Sequence, residues 1–263
     1  MSATPVALAA TLHDPRGADL PALRAVLPDL ARRYAGLAIF ATEETAEAIL
    51  KPLAAAGAAV SRHPSDYREI GRRRLGAVKQ AVEFAPAVHL CDFDRLIHWA
   101  RYWPDELDGV LAHLPAVDLL ILGRTERAWA THPANQVETE RLANRVVSHF
   151  YGAEVDICAG SRGLSRRAVE YLAAHSRIHD VGTDAEWPLL LRHAGDFRCE
   201  LLLTEGLEFE TADRHADEVA RAGGLAGWNA VLDRDPARWT FRVRLASDIV
   251  AGALGAVNRQ SGE

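Results

Sequence analysis

The chain has 263 residues, 49% of them hydrophobic and 25% charged, and its 36 acidic against 30 basic residues leave a formal charge of -6. That composition excludes a disordered, fibrous or membrane-spanning chain, and the acidic balance argues against a nucleic-acid partner, since binding phosphates draws on a basic excess. At ~150 residues per domain the length allows one large α/β domain or two small ones.

The first apolar run, residues 6–12, is soon cut by polar residues and has no basic segment ahead of it, so it reads as a strand and not as a signal peptide. Further short apolar runs at 37–40, 58–61, 88–91, 119–122 and 201–204 read as strands. Between them, apolar residues recur at intervals of three and four over 20–34, 44–56, 70–84 and 105–114, as in helices packed on a sheet. Residues 125–134, with Trp129, His132 and Pro133, read as a loop, and helices follow over about 136–151, 165–174 and 184–194, the last ending at Gly195. The final forty residues read as helical, with an apolar stretch 249–257 expected to cover the body or a neighbouring copy. Alternation of strand and helix predicts an α/β fold with a mostly parallel central sheet flanked by helices. No window reaches the ~18–20 apolar residues of a membrane helix, so no integral membrane segment is expected. Cys91, Cys158 and Cys199 are far apart and lack Cys-x-x-Cys spacing, which points away from a disulfide framework or zinc knuckle and toward a reducing, cytoplasmic setting.

The strand at 88–91 runs into Asp92-Phe93-Asp94. In open α/β sheets ligands bind at the carboxyl ends of strands, and two carboxylates there suit Mg²⁺ or Mn²⁺, which in turn carries phosphates. The same residues also read as a strand-end turn in which Asp92 caps the next helix. Haloacid-dehalogenase-like phosphatases use such a pair after the first strand, with Thr or Val two residues beyond it; here about ninety residues precede it and Leu96 stands in that place.

With four further segments the chain resembles GT-A glycosyltransferases, particularly the family 2 type that includes dolichol-phosphate mannosyltransferase-like proteins, over roughly residues 5 to 210. His13-Asp14-Pro15 after the first strand, the Gly71–Lys79 stretch with its three arginines, the Ala159–Val169 small-residue loop with Arg166-Arg167, and Gly182-Thr183-Asp184-x-Glu186 leading to Arg192 and Gly195 follow that family's order. Thr183 departs from it, standing where an acidic residue is usual.

The resemblance implies a nucleoside-diphosphate sugar donor, a hydroxyl acceptor, and Mg²⁺ or Mn²⁺ as cofactor. It assigns the donor to His13, Asp14, Arg73, Arg74, Lys79 and Asp92, and the metal to Asp94 with Asp92 and a late histidine, His215. Asp184, then Glu186, is the expected base of an inverting reaction, which is favoured over a retaining one that stays open, with N-capping as the plainer role for either Thr183 or Asp184. Trp99, Tyr102 and Trp103 are candidates for stacking on sugar rings, with Trp103 assigned instead to the core, and Trp129 is a candidate acceptor-side lid. A shared cleft requires one catalytic body, residues 1–212, with a helical tail, 213–263, packed on it. A sugar-phosphate nucleotidyltransferase would require a Gly-rich first loop that residues 13–17 do not supply. A catalytically silent nucleotide-sugar-binding module stays open.

Overall fold

The computed structural model describes residues 5–261. Seven strands, β1 (Val6–Leu12), β2 (Leu37–Thr42), β3 (Ala59–His63), β4 (Ala87–Asp92), β5 (Leu119–Arg124), β6 (Ser161–Ser165) and β7 (Cys199–Thr204), form one sheet in the order β3-β2-β1-β4-β6-β5-β7. Paired strands run parallel, except that β6 is antiparallel to β4 and β5. The helices are α1 (Leu20–Arg33), α2 (Glu47–Ala55), α3 (Ile70–Ala81), α4 (Phe93–Tyr102), α5 (Pro104–His113), α6 (Glu126–Ala130), α7 (Ala134–Tyr151), α8 (Arg166–His175), α9 (Thr183–Ala194), α10 (Ala216–Arg221), α11 (Leu225–Asp233) and α12 (Pro236–Ser261).

All seven residues of β1 are buried. Val6, Leu8, Ala10 and Leu12 enter one core, with Leu23 of α1, Ile49 of α2, Leu96 of α4 and Leu107 of α5. Ala7 and Ala9 enter the other, with Val78 of α3, Val147 of α7, Leu172 of α8 and Leu189 of α9. A strand covered on both faces needs apolar side chains at both phases of its two-residue period, which is why it reads as an unbroken apolar run. The result is the expected α/β architecture of a mostly parallel sheet between two helical layers.

β6 departs from the sequence reading, which made the stretch from residue 159 up to the helix start at 165 a loop. Ser161-Arg162-Gly163-Leu164-Ser165 carries a single large apolar side chain and so shows no strand period. It is held by its neighbours: His89 of β4 pairs across from Gly163, and His89 hydrogen-bonds Ser161 Oγ at 2.9 Å and Tyr34 Oη at 2.7 Å. The stretch 125–134 is also partly helical, since Thr125 Oγ1 accepts from the Ala128 amide at 3.1 Å and caps α6.

The tail is part of the core, because α12 adds Ala246, Ile249, Ala253 and Ala256 to the cluster formed by α7 and α9. Its approach is close: a Cβ on Gly252 would stand 2.3 Å from the Gly182 carbonyl oxygen. The outer limits of the expected body and tail, residues 1–4 and 262–263, lie outside the described residues. Among the described residues no helix is long and apolar enough to cross a membrane.

From β1 the chain builds outward to β2 and β3, then returns to set β4 on the other side of β1. Such a reversal leaves a crevice at the carboxyl ends of the two central strands, where Thr11 lies opposite Asp92. The start of α3 closes one side. A Cβ on Gly71 would sit 2.5 Å from the Asp180 carbonyl oxygen, and the Arg72 amide donates to His179 O at 3.1 Å. Gly71→Ala is therefore expected to destabilise the fold by about 1–3 kcal/mol through overpacking, despite alanine's better helix propensity. A urea unfolding midpoint at or above that of the parent would show that the contact is not tight.

Candidate active site

The crevice opens into a cleft of about 450 Å³ whose walls include Thr11, His13, Thr42, Arg73, Arg74, Asp92, Asp94, Arg95, Glu210, Arg214 and Phe241. β1 and β2 deliver His13 and Thr42, whose side chains hydrogen-bond at 2.8 Å. α3 delivers the arginines; Arg73 donates to the carbonyls of Pro64 at 3.0 Å and Asp66 at 2.8 Å, which fixes the loop after β3. α4 starts at Phe93, so Asp94 and Arg95 stand in its first turn. A short 3-10 helix, Glu210–His215, carries Glu210 and Arg214 across the opening.

Arg74 organises the floor. Its guanidinium donates to both Asp92 oxygens at 3.2 Å and to Asp184 Oδ1 at 2.9 Å. Arg162 of β6 also donates to Asp184 Oδ1, while Asp184 Oδ2 accepts no hydrogen bond from any described residue. Burial alone would raise the Asp92 pKa, but Arg74, Arg95 and the Thr11 hydroxyl outweigh it and hold the carboxyl below the usual range. Thr11 Oγ1 donates to Asp92 at 2.9 Å. Asp92 occupies the position preceding α4 but makes no side-chain capping bond.

Beyond Arg74, Asp92 and Arg95 lies an inner cavity of about 150 Å³, closed by Glu140 of α7, Gly160, Asp184 of α9, and Arg242 and Ala246 of α12. Gly160 has φ +68°, and a Cβ there would lie 2.7 Å from Asp92 Oδ2, so the chain passes directly beneath the carboxylate.

Asp94 differs from Asp92. Burial and the neighbouring Glu210 carboxylate push its pKa up to about 6, against the pull of Arg214, which lies 3.3 Å away. Glu210 Oε2 is buried with no hydrogen-bond donor, and Arg95 Nη1 is 3.8 Å away. Two carboxylates lining one cleft suit a divalent cation that takes two protein oxygens and completes its shell with phosphate and water. Asp94 and Glu210 are the cleft carboxylates that could hold such a cation. Asp92 is committed to Arg74, and among the described residues no group of three or more His, Cys, Asp or Glu side chains is gathered for a metal.

Several residues expected at the site lie elsewhere. His215 is outside the cleft, 3.1 Å from Glu218 and against the Trp228 ring, because the short helix turns Glu210 and Arg214 inward and His215 away. Asp14 is buried and accepts from the amides of Ala18 at 3.0 Å and Asp19 at 2.9 Å, shaping the entry to α1. Lys79 is exposed on the far part of α3. Glu186 is fully buried; it accepts from Ser176 Oγ at 2.6 Å, from the Arg177 amide at 2.9 Å and from Arg259, so it anchors the chain before α9 and lines neither cavity. Trp99, proposed for sugar stacking, is fully buried and donates to Glu106 at 2.9 Å. Trp103, assigned to the core, is only partly buried and donates to Glu208 at 2.9 Å; Tyr102 is exposed. Trp129 is no lid: it is buried beneath the Arg124 guanidinium, 3.4 Å from its ring centre.

Arg95, Glu210, Arg214 and Arg162 were not singled out by sequence. Arg95 directly follows the acidic pair, and Glu210 and Arg214 stand four apart on a turn where His215 drew attention, so spacing carried a signal for these three. Arg162 lies inside the Ala159–Val169 segment, but with its strand read as a loop nothing there pointed to its guanidinium.

No protein-family model matches the chain, and no curated protein matches it. Among solved structures it is similar to Rv0371c from Mycobacterium tuberculosis at 16% identity, over 82% of this chain and 98% of that one, with a TM-score of 0.46. It is also similar to glucosyl-3-phosphoglycerate synthase from the same organism, in complex with Mn²⁺, uridine-diphosphate-glucose and phosphoglyceric acid, at 13% identity over 75% of this chain and 69% of that one, with a TM-score of 0.46.

The segment carrying Glu210 and Arg214 is clamped to α4 by His98, whose ring nitrogens meet Asp213 at 2.9 Å and Glu208 at 3.0 Å. Burial would lower the His98 pKa, but the two carboxylates outweigh it and raise it to about 9. A pKa raised above the unfolded value of 6.5 contributes stability that is full below about pH 6.5 and is lost as pH rises through about 9. We expect His98→Gln to lose on the order of 2–3 kcal/mol at pH 6 and much less at pH 10. Parallel wild-type and variant unfolding curves across that range would show that the clamp carries no charge.

Proposed function

We propose that this protein is a glycosyltransferase that moves a sugar from a nucleoside-diphosphate donor to a hydroxyl acceptor with Mg²⁺ or Mn²⁺. The observation that carries the reading is the pair of cavities at the β1/β4 crevice that share Arg74, Asp92 and Arg95 in their walls, one holding carboxylates among guanidinium groups and the other holding Asp184. A nucleoside diphosphate leaving group gathers negative charge, which preorganised cations stabilise best in a partly dry site. Arg73 and Arg214 flank the outer cleft for the diphosphate, and Arg74 is held between Asp92 and Asp184 so that it need not reorganise. A divalent ion held by Asp94 and Glu210 would neutralise the phosphate oxygens.

The inner cavity then receives the acceptor. Asp184 Oδ1 is fixed by Arg74 and Arg162, which leaves Oδ2 to take the proton of the attacking hydroxyl, the arrangement an inverting transfer needs. Glu186, with both oxygens engaged elsewhere, drops out as its understudy.

Melting the protein with UDP, GDP and Mn²⁺ tests the donor half. One nucleotide should raise the melting temperature only with the metal present, and Asp94→Ala should remove that dependence; no response to any nucleotide would sink the proposal. Release of free nucleotide from a nucleotide sugar tests the chemistry. Asp184→Asn should lower turnover by about 10²–10⁴-fold with nucleotide affinity little changed, whereas a silent binding module would show no turnover in either protein.

A further inference from the structure

Arg95 is a buried cation of the site that the donor reading leaves unexplained. Its side chain is 11% exposed, and the residue is part of the walls of both the outer cleft and the inner cavity. The closest carboxylate oxygens are 3.8 Å away on Glu210 and 4.0 Å away on Asp92, beyond hydrogen-bond reach. No side-chain hydrogen bond joins it to any described residue, and Nη1 is buried without a partner. A buried guanidinium with unused donors is costly, so its retention calls for a ligand that uses them.

The other charges of the inner cavity are spoken for. Asp92 accepts from Arg74, Asp184 from Arg74 and Arg162, and Glu140 from Arg242 at 3.2 Å. Arg242 also donates to Gln136 at 2.8 Å. Among the arginines that line the inner cavity, Arg95 is therefore the one with a buried donor to spare; Arg162 Nη1 is unpartnered as well, but Arg162 is not part of that lining. At about 150 Å³ against about 450 Å³ for the outer cleft, the inner cavity is the smaller space, and it suits a phosphate or carboxylate with a few carbons beside it better than a whole nucleotide.

We propose that Arg95, with Arg242 beside it, binds an oxyanion of the acceptor in the inner cavity, so that the acceptor is a small hydroxy compound bearing a phosphate or carboxylate. The assignment to the acceptor rests on the glycosyltransferase reading. The anion would fill the donors of Arg95 and orient the acceptor so that its hydroxyl meets Asp184 Oδ2. The planar guanidinium fork matches either group in a bidentate manner.

Calorimetric titration of the whole protein with inorganic phosphate, with UDP or GDP and Mn²⁺ already saturating, tests this. Wild type should bind phosphate under those conditions, Arg95→Gln should raise its Kd at least tenfold, and the nucleotide Kd should change less than threefold. Ala246→Met, which narrows the inner cavity without touching Arg95, should also weaken phosphate binding and guards against a folding defect in the first variant. Phosphate displaced by the nucleotide would place the anion in the donor site and overturn the proposal. So would phosphate binding unaltered in both variants, or no phosphate binding by wild type. A nucleotide response with no phosphate binding would leave the transferase reading standing and remove only the anionic acceptor.

Discussion

The geometry of the site depends on one buried cation. Arg74, in the middle of α3, holds Asp92 at the end of β4 and Asp184 in the first turn of α9, with the last pair 110 residues apart in the chain. A guanidinium taken out of water costs several kcal/mol unless carboxylates and hydrogen bonds replace its hydration, and removing either partner leaves an uncompensated buried charge. That constraint draws α3, β4 and α9 to one point at the carboxyl ends of the central strands. Arg162 adds β6 to the same point, which gives the antiparallel strand a part in the site as well as in the sheet.

Around this clamp, close backbone approaches do what side chains do elsewhere. Gly71 lets the start of α3 touch the turn before α9, Gly160 lets the chain pass beneath Asp92, and Gly182 and Gly252 let α12 seat on α9. α12 is consequently a wall of the inner cavity, and Arg242 and Ala246 belong to the site although they lie far from any motif. The cleft thus has a rigid floor of paired charges. Its outer rim is the short 210–215 helix, tied back through His98.

Much of this was legible in advance. The central strands of the parallel part announced themselves as short apolar runs because both faces of the sheet are covered there, and Asp92, Asp94, Arg73, Arg74 and His13 do converge on one cleft. The failures have physical causes. β6 carries too few apolar residues to show a period and is held by its neighbours' hydrogen bonds. His215 and Glu186 have the right chemistry and the right neighbourhood in the chain, but the facing of one short helix and the burial of one carboxylate remove them. Trp99 is withdrawn from the surface because Gly206 packs against its ring, while Trp103, just after α4, packs partly buried against the same core.

Composition, periodicity and the position of the acidic pair by themselves determined an α/β sheet with ligand chemistry at its strand ends, since both follow from local patterns of apolar and charged residues. Which of those charges face one another was decided only in three dimensions. Arg95 and Glu210 acquire meaning because α4 and the 210–215 turn come together across the cleft. The inner cavity exists because α12 returns to pack on α7 and α9. Contacts between residues a hundred positions apart leave no periodic trace in a single chain.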